Sequence, residues 1–144
     1  MLVERILREK GSAVAAVDKT ASVADAVALL RQHNVGALIV ADGSEPMAGI
    51  VSERDVVRAL AELGADVLDQ TVGDLMTTAV VTVDLHTPVE QLMALMTERR
   101  IRHVPVLDEG ELVGVISIGD VVKRRVEELE TEKAQIVDYI TVGR

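Results

Sequence analysis

The pattern of apolar and polar residues changes period several times along the chain, and the same succession of periods occurs twice. Two segments carry apolar residues at the i, i+3, i+4, i+7 spacing that predicts an amphipathic helix. Short runs rich in valine, isoleucine and alanine precede and follow each of them, and such runs are typical of strands. The helical positions are Val23, Ala26, Val27 and Leu30 in the first segment and Val89, Leu92, Met93 and Met96 in the second. The pattern predicts the order β-α-β-β-α, twice.

The polar residues that flank these runs predict where helices begin. Ser22 and Asp25 have the spacing of a capping box, in which each residue satisfies a backbone N–H of the first helical turn. Thr87 and Glu90 repeat that spacing, and Pro88 suits a first helical position. The strands are expected at 13–17, 35–41 and 48–52 in the first unit and at 80–83, 102–107 and 112–117 in the second.

The two units are related by an internal duplication. "VDKTASVADAVALLRQHNVGALIV" at 17–40 aligns with "VDLHTPVEQLMALMTERRIRHVPV" at 83–106, an offset of 66 residues. "GIVSERDVV" at 49–57 then aligns with "GVISIGDVV" at 114–122, an offset of 65 residues. We expect an α/β (α+β) fold in which two small sheets, flanked by helices, are related by a pseudo-twofold axis.

The duplication divides the chain into three segments. The first unit with an N-terminal helix takes residues 1–66, the second takes 67–126, and a helical extension takes 127–144. The connector between the units predicts a short helix capped by Thr71. An apolar stripe, interrupted by Lys133, continues past the second unit at Val122, Val126, Leu129, Ile136 and Ile140. This long amphipathic helix either packs back or meets a partner subunit.

Composition and charge exclude several classes of function. The core must be aliphatic, because aromatic residues make up 1% of the chain. A net charge of −9 argues against general nucleic-acid binding, which needs a broad positive surface. No apolar run is long enough to cross a membrane, and the absence of cysteine fits the cytosol. The three histidines lack the spacing of a zinc site, so we expect no metal and no required cofactor.

The duplicated phrase places a serine and an aspartate at the start of a helix in each unit. Ser52 with Asp55, and Ser117 with Asp120, have the spacing of a capping box, which is a purely structural role. The same atoms could bind a nucleotide, because a helix N-terminus attracts phosphate and an ionised aspartate accepts from both hydroxyls of a ribose. The glycine that opens each phrase either packs closely or lets a ligand approach the backbone.

These motifs resemble the CBS-domain pair, also called a Bateman module. The likeness covers about residues 8–126 and is carried by "GIVSERD", "GVISIGD" and "MTERRIRHVPVLDEGELVGVISIGDVV". "SERD" followed by "RIRHVPV" resembles the small stand-alone CBS-pair proteins of bacteria and plants. The resemblance implies a non-enzymatic regulatory module that binds AMP, ADP, ATP, NAD(H) or S-adenosylmethionine, and that forms a homodimer in the cytosol or signals to an effector protein.

The resemblance also implies which residues form two ligand sites. The ribose motifs supply Ser52, Glu53, Arg54 and Asp55 to one site and Ser117, Ile118, Gly119 and Asp120 to the other. Since the family crosses its repeats, Asp55 is expected to face Met76, Val81, Arg102 and His103, and Asp120 to face Lys10, Ala15, Gly36 and Ala37. Backbone groups and aliphatic side chains would hold the adenine.

Basic residues predict that the two sites are unequal. Arg99, Arg100, Arg102 and His103 are close in sequence and could bind phosphate, although Arg99 and Arg100 are equally well explained as a solvated charge run. Arg102 aligns with Gly36 and Arg54 with Gly119, so only the site of Asp55 has arginine at these positions. We expect the site of Asp55 to be the better one. Two alternatives remain: a dimerisation or interaction module with vestigial sites, and an enzyme that acts on a nucleotide.

Overall fold

The fold consists of two copies of one β-α-β-β-α unit, as the hydrophobic pattern predicts. A computed structural model describes residues 1–142. The first unit contains β1 Ala16–Asp18, α2 Val23–His33, β2 Ala37–Asp42, β3 Glu45–Ser52 and α3 Glu53–Leu63. The second contains β4 Val83–Asp84, α5 Val89–Arg99, β5 His103–Asp108, β6 Glu111–Ser117 and α6 Ile118–Val142. Helix α1 Val3–Lys10 precedes them, and a 3-10 turn at Ala65–Asp69 and α4 Val72–Leu75 join them.

Both units form a three-stranded sheet with the same topology. In each sheet the short first strand runs parallel to the central strand, which is antiparallel to the third. The register is also the same, since Val40 pairs with Val17 and Gly49 while Val106 pairs with Val83 and Gly114. The duplication inferred from the sequence is therefore a duplication of structure.

Each sheet has its own aliphatic core, and α1 belongs to the second one. Val17, Ala26, Leu30, Leu38, Val40, Val51 and Val72 form the first core. Val3, Ile6 and Leu7 of α1 are buried in the second core, together with Leu92 and Ile116. The chain thus crosses from one unit to the other, because a helix that precedes the first unit in sequence completes the core of the second.

The connector packs on the first unit in the same way as the N-terminal segment packs on the second, and each is held by an equivalent backbone hydrogen bond. The amide of Val3 donates to Thr87 O at 2.9 Å, and the amide of Val72 donates to Ala21 O at 2.8 Å. Where β6 meets α1, a Cβ atom on Gly114 would lie 2.6 Å from Leu7 Cδ2. These exchanged contacts hold the two units side by side.

The predicted helix caps need two corrections, at Thr87 and Thr71. Helix α5 begins at Val89 with Pro88 as its N-cap, and the Thr87 hydroxyl bonds to Asp84 and caps nothing. Thr71 is the N-cap of α4, but its side chain makes no capping hydrogen bond. Helices α3 and α6 begin two residues before Asp55 and Asp120, because the serine of the phrase is itself the N-cap.

Helix α6 continues well beyond the second unit. Its first turns pack against the domain, with Val121 buried. From Val126 to Val142 its apolar residues are about half exposed or more, so this part of the helix does not pack back onto the described domain. Of the two alternatives for this helix, packing back is wrong for residues 127–142, and residues 143–144 lie outside the described part of the chain.

Candidate functional site

A cavity of about 490 Å³ opens at the N-terminus of α3, and we call it the Asp55 cavity. Ser52, Glu53, Arg54 and Asp55 contribute to its wall from the first unit. The second unit contributes the end of α5 and the start of β5, and the segment before β4 closes the remaining side. The lining residues from those segments are Thr77, Ala79, Val80, Val81, Arg99, Arg100, Ile101, Arg102 and His103. The volume falls within the range of small-molecule sites.

Asp55 caps α3 and still presents a free oxygen. Its Oδ2 accepts from the Ser52 amide at 2.8 Å, and its own amide donates to Ser52 Oγ at 3.3 Å, which completes a capping box. The structural role expected of this phrase is therefore real. Oδ1 takes no hydrogen bond from any residue within 1–142, so it can accept from a ligand hydroxyl without loss of the cap.

Arginine side chains from both units surround the cavity. Arg54 Nη1 donates to the carbonyl of Arg100 at 3.1 Å, and this bond joins the start of α3 to the end of α5. Arg100 has a left-handed conformation with φ 54°, as the C-cap of α5. Arg102 and His103 both line the cavity because Arg102 precedes β5, and the alternation of a strand does not yet separate their side chains.

His103 lies at the centre of the structure, between the two units. A Cβ atom on Gly36 would lie 2.8 Å from both His103 Cε1 and Glu53 Oε1, so Gly36 leaves the space that these side chains occupy. Burial lowers the pKa of His103, the carboxylate of Glu53 opposes this shift, and Lys10 adds to it. At neutral pH the imidazole is therefore neutral, so one of its nitrogens donates a hydrogen bond and the other accepts one.

The equivalent position in the second unit, which we call the Asp120 mouth, is occupied by Lys10. Asp120 Oδ2 accepts from the Ser117 amide at 2.8 Å and from Lys10 Nζ at 2.6 Å, and Lys10 also donates to Val115 O at 2.7 Å. Partial burial opposes ionisation of Asp120, but the bonds from Lys10 and Ser117 outweigh it and lower the pKa of that carboxyl. The ammonium group of Lys10 therefore lies against the carboxylate to which the resemblance assigns a ribose.

The two mouths differ because α1 and the connector differ in length. Leu7 packs on Gly114, and Met76 packs on Gly49 in the same way, with Sδ 2.9 Å from an added Cβ. Helix α1 runs on to Lys10, whereas α4 ends at Leu75. Three residues after Met76, at the position equivalent to Lys10, the connector has the short side chain of Ala79, which lines the Asp55 cavity. The Asp55 cavity is therefore open, and Lys10 fills the Asp120 mouth.

Most of the residues proposed for the two sites lie near them, with some differences. Val81, Arg102 and His103 line the Asp55 cavity, but Met76 packs against the first core. Gly36 and Ala37 line the Asp55 cavity, whereas the resemblance assigned them to Asp120. Among the remaining candidates, Lys10 contacts Asp120, Ala15 packs beside the first core, Ser117 caps Asp120 N, and Ile118 and Gly119 form the first turn of α6.

Several residues of the cavity were not predicted from the sequence. Arg58 lies one helical turn after Arg54, and this i, i+4 spacing on α3 was a signal that could have identified it. Thr77 reaches the cavity because it pairs with Ile50, which extends the sheet by one bridge. The glycines of the duplicated phrase have a packing role, since an added Cβ on Gly49 would lie 2.6 Å from Thr77 O.

The described residues contain no cluster of three or more histidine, aspartate or glutamate side chains that could hold a metal ion. Within residues 1–142, no helix is both long and apolar enough to cross a membrane.

Comparison with known proteins identifies relatives of the whole chain. The CBS domain model matches residues 5–62 and 72–127. The CBS domain-containing protein CBSX3, mitochondrial, of Arabidopsis thaliana is 42% identical over 126 residues, which are 85% of this chain and 61% of that protein. A CBS-domain protein of Agrobacterium tumefaciens, ATU1752, has a solved structure that is 44% identical, with a TM-score of 0.84, and the match covers 86% of this chain and 92% of that one.

A third relative was solved with adenosine compounds bound. The CBS domain pair of protein MJ0100, in complex with 5′-methylthioadenosine and S-adenosyl-L-methionine, is 26% identical with a TM-score of 0.78. The match covers 89% of this chain and 98% of that one.

Proposed function

Because the chain belongs to the CBS-domain family and carries two CBS motifs, we propose that it is a regulatory module that binds an adenine nucleotide in the Asp55 cavity. The candidate ligands are AMP, ADP, ATP, NAD(H) and S-adenosylmethionine. CBS pairs are regulatory modules, and we propose that this one acts without catalysing a reaction. Ligand binding favours one arrangement of the two units and so shifts the population that a partner recognises.

The observation that carries the proposal is the convergence of both units on one open cavity. Asp55 Oδ1 is available to accept from a ribose hydroxyl at one side of the cavity. The arginines of both units can hold phosphate. Ala79, Val80 and Val81 supply the apolar wall that an adenine ring needs in a chain with one aromatic residue. The complex of MJ0100 with two adenosine compounds supports the same ligand class.

A thermal shift across the candidate ligands tests this function. A ligand present at a hundred times its dissociation constant should stabilise the fold by about 2.7 kcal/mol. We expect a shift with at least one adenine nucleotide and none with the same nucleotide of cytosine. No shift with any adenosine compound would refute the proposal.

Asp55→Ala with Asp25→Ala as control separates ligand contact from the loss of an acidic residue at a helix N-terminus. Asp25 occupies the same N3 position after the N-cap Ser22 of α2 and lies outside the cavity. Asp55→Ala also loses the bond from the Ser52 amide, which costs about 0.5–2 kcal/mol of stability, whereas the Asp25 side chain makes no such bond within residues 1–142. Only Asp55→Ala should lose the ligand-dependent shift. An equal shift in the two variants would exclude Asp55 as a ligand-binding residue.

We propose that the chain forms a homodimer through α6. Many of its exposed apolar residues follow heptad steps, at Val122, Val126, Leu129, Ile136 and Ile140, and Lys133 occupies the intervening step. With Val126 as an a position, Arg125 is a g position and Glu130 an e position, and these two attract each other across a parallel pair of helices. Lys133 is a polar residue at a single a position, which fixes register at some cost in stability. A second copy of the chain therefore fits this face.

One alternative function has an observation in its favour. Since both aspartates cap their helices and Lys10 fills the Asp120 mouth, the pair could serve only to hold subunits together. Dimerisation unaffected by ligand, combined with no nucleotide binding, would support that function. A turnover assay with ATP or NAD would test the remaining alternative, an enzyme. A cytosolic location stays a prediction, and the relative from Arabidopsis is named as mitochondrial.

A further inference from the structure

We infer that the Asp55 cavity selects its ligand by phosphate number, so that a triphosphate binds more tightly than a diphosphate and a diphosphate more tightly than a monophosphate. This inference rests on the proposed function and names the ligand class of the same cavity. The residues that carry it are Arg54, Arg58, Arg99, Arg100 and Arg102, all of which line the cavity.

The duplication provides an internal comparison for these arginines. In the aligned repeats each of the five positions holds another residue in the other unit. Arg54 and Arg58 of α3 align with Gly119 and Lys123 of α6. At the end of α5, the aligned residues of the first unit are His33, Asn34 and Gly36 for Arg99, Arg100 and Arg102 respectively. The common scaffold does not require arginine at these places, and all five differences fall on one cavity.

These arginines also form no ion pair in the described part of the chain. Within residues 1–142, every ion pair formed by arginine involves Arg5, Arg8, Arg124 or Arg125, and none involves the five around the cavity. All five side chains are exposed. In a chain with a net charge of −9, carboxylates are abundant, so a group of unpaired arginines is not the arrangement that surface neutralisation would produce.

The charge of the cavity exceeds what one phosphate needs. Glu53 and Asp55 are the two carboxylates that line it, against five arginines. The guanidinium group matches phosphate oxygens with two parallel N–H donors, which a lysine cannot do. None of the four lysines of the chain lines the cavity. A chain of two or three phosphates offers more oxygens to the arginines of both units than a single phosphate does.

Isothermal titration of the full chain with AMP, ADP, ATP and inorganic tripolyphosphate tests this inference. We expect ATP to bind at least tenfold more tightly than AMP, with ADP between them, and the advantage of ATP to fall as salt rises. Tripolyphosphate should compete with ATP. It should not compete with S-adenosylmethionine, which has an adenosyl group and no phosphate. The titrations are run in EDTA so that no divalent cation bridges the phosphates.

Arg58→Gln and Arg99→Gln should each reduce the ratio of ATP to AMP affinity by about fivefold or more. Arg31→Gln is the matched control, since Arg31 is exposed on α2 outside the cavity and carries the same charge. Equal affinity for AMP, ADP and ATP would overturn this inference and leave the proposed function intact. If tripolyphosphate binds and no adenosine compound does, the proposed function is overturned and the cavity is a polyanion site. No binding by any of the probes would overturn both.

Discussion

A single carboxylate oxygen of Asp120 determines the state of the second mouth. Oδ2 accepts hydrogen bonds from both the Ser117 amide and the Lys10 ammonium group. The side chains of Asp120 and Lys10 are 24% and 33% exposed, respectively. The lowered pKa of Asp120 means that the folded state favours the ionised form more than the unfolded chain does. Its contribution to stability is therefore present above the ordinary pKa of an aspartate and is lost as the pH falls below about 4.

Lys10→Met removes this ion pair and retains most of the side-chain volume. After allowance for solvent screening, we expect a loss of about 1 kcal/mol in the free energy of unfolding at pH 7. The difference from the wild type should shrink at pH 3, because protonation of Asp120 removes the charge that attracts Lys10 in the wild type. Urea unfolding at the two pH values measures it. Lys19→Met is the control, since the pair of Lys19 with Asp42 is more exposed and should matter less.

If Lys10→Met were as stable as the wild type at pH 7, Lys10 would be a mobile surface residue and not the occupant of the Asp120 mouth. A difference that stays constant between pH 7 and pH 3 would mean that the packing of the lysine stem, not its charge, stabilises the fold.

At the scale of elements, the third strand of each sheet depends on a glycine that faces a crossing segment. Gly49 of β3 faces the connector, where an added Cβ would lie 2.6 Å from the backbone oxygen of Thr77. Backbone cannot rotate away as a side chain can. Gly49→Ala should therefore destabilise the protein by about 1–3 kcal/mol.

Gly119→Ala is the matched substitution with the opposite expectation. Gly119 lies in the first turn of α6, and the nearest atom to an added Cβ is Ser117 Oγ at 3.6 Å. An alanine there fits and favours the helix, by up to about 1 kcal/mol. Chemical denaturation of the two variants compares them directly. A Gly49→Ala protein as stable as Gly119→Ala would show that the connector is not packed tightly on β3.

Helix α6 gives the prediction for assembly. Ile136→Asp places a charge in the apolar face proposed to meet a second copy, so we expect a monomer by light scattering where the wild type is a dimer. Gln135→Asp adds the same charge on the next residue, at a c position of the heptad, and should leave the dimer intact. A dimer that survives Ile136→Asp would place the subunit interface elsewhere.

The elements were more predictable than their contacts. Hydrophobic period and capping residues are local signals, and they gave the order of strands and helices and the start of α2 at Ser22. They failed at Thr87, because its hydroxyl oxygen accepts from the Asp84 amide and not from an amide of α5, and the same hydroxyl donates to Asp84 Oδ1. The exchange of α1 into the second core depends on long-range packing, which no local pattern encodes.

For the molecule as a whole, the sequence predicted which of the two mouths holds the arginines, and that this mouth is the better ligand site stays a prediction. The arginines of "SERD" and "RIRHV" pointed to the Asp55 cavity, and the structure places them around it. The role of Lys10 required knowledge that α1 reaches the second unit, so its pairing with Asp120 came only from family resemblance. The filling of a site by the chain itself is a property of the folded molecule.

Because the Asp55 cavity is open and Lys10 fills the Asp120 mouth, we expect one nucleotide to bind per chain, at Asp55. Isothermal titration with ATP of the wild type, Asp55→Ala and Asp120→Ala tests this most directly. We predict a stoichiometry of one nucleotide per chain in the wild type, no measurable binding by Asp55→Ala, and binding by Asp120→Ala within about threefold of the wild type. Nucleotide binding that survives Asp55→Ala and disappears in Asp120→Ala would contradict the account.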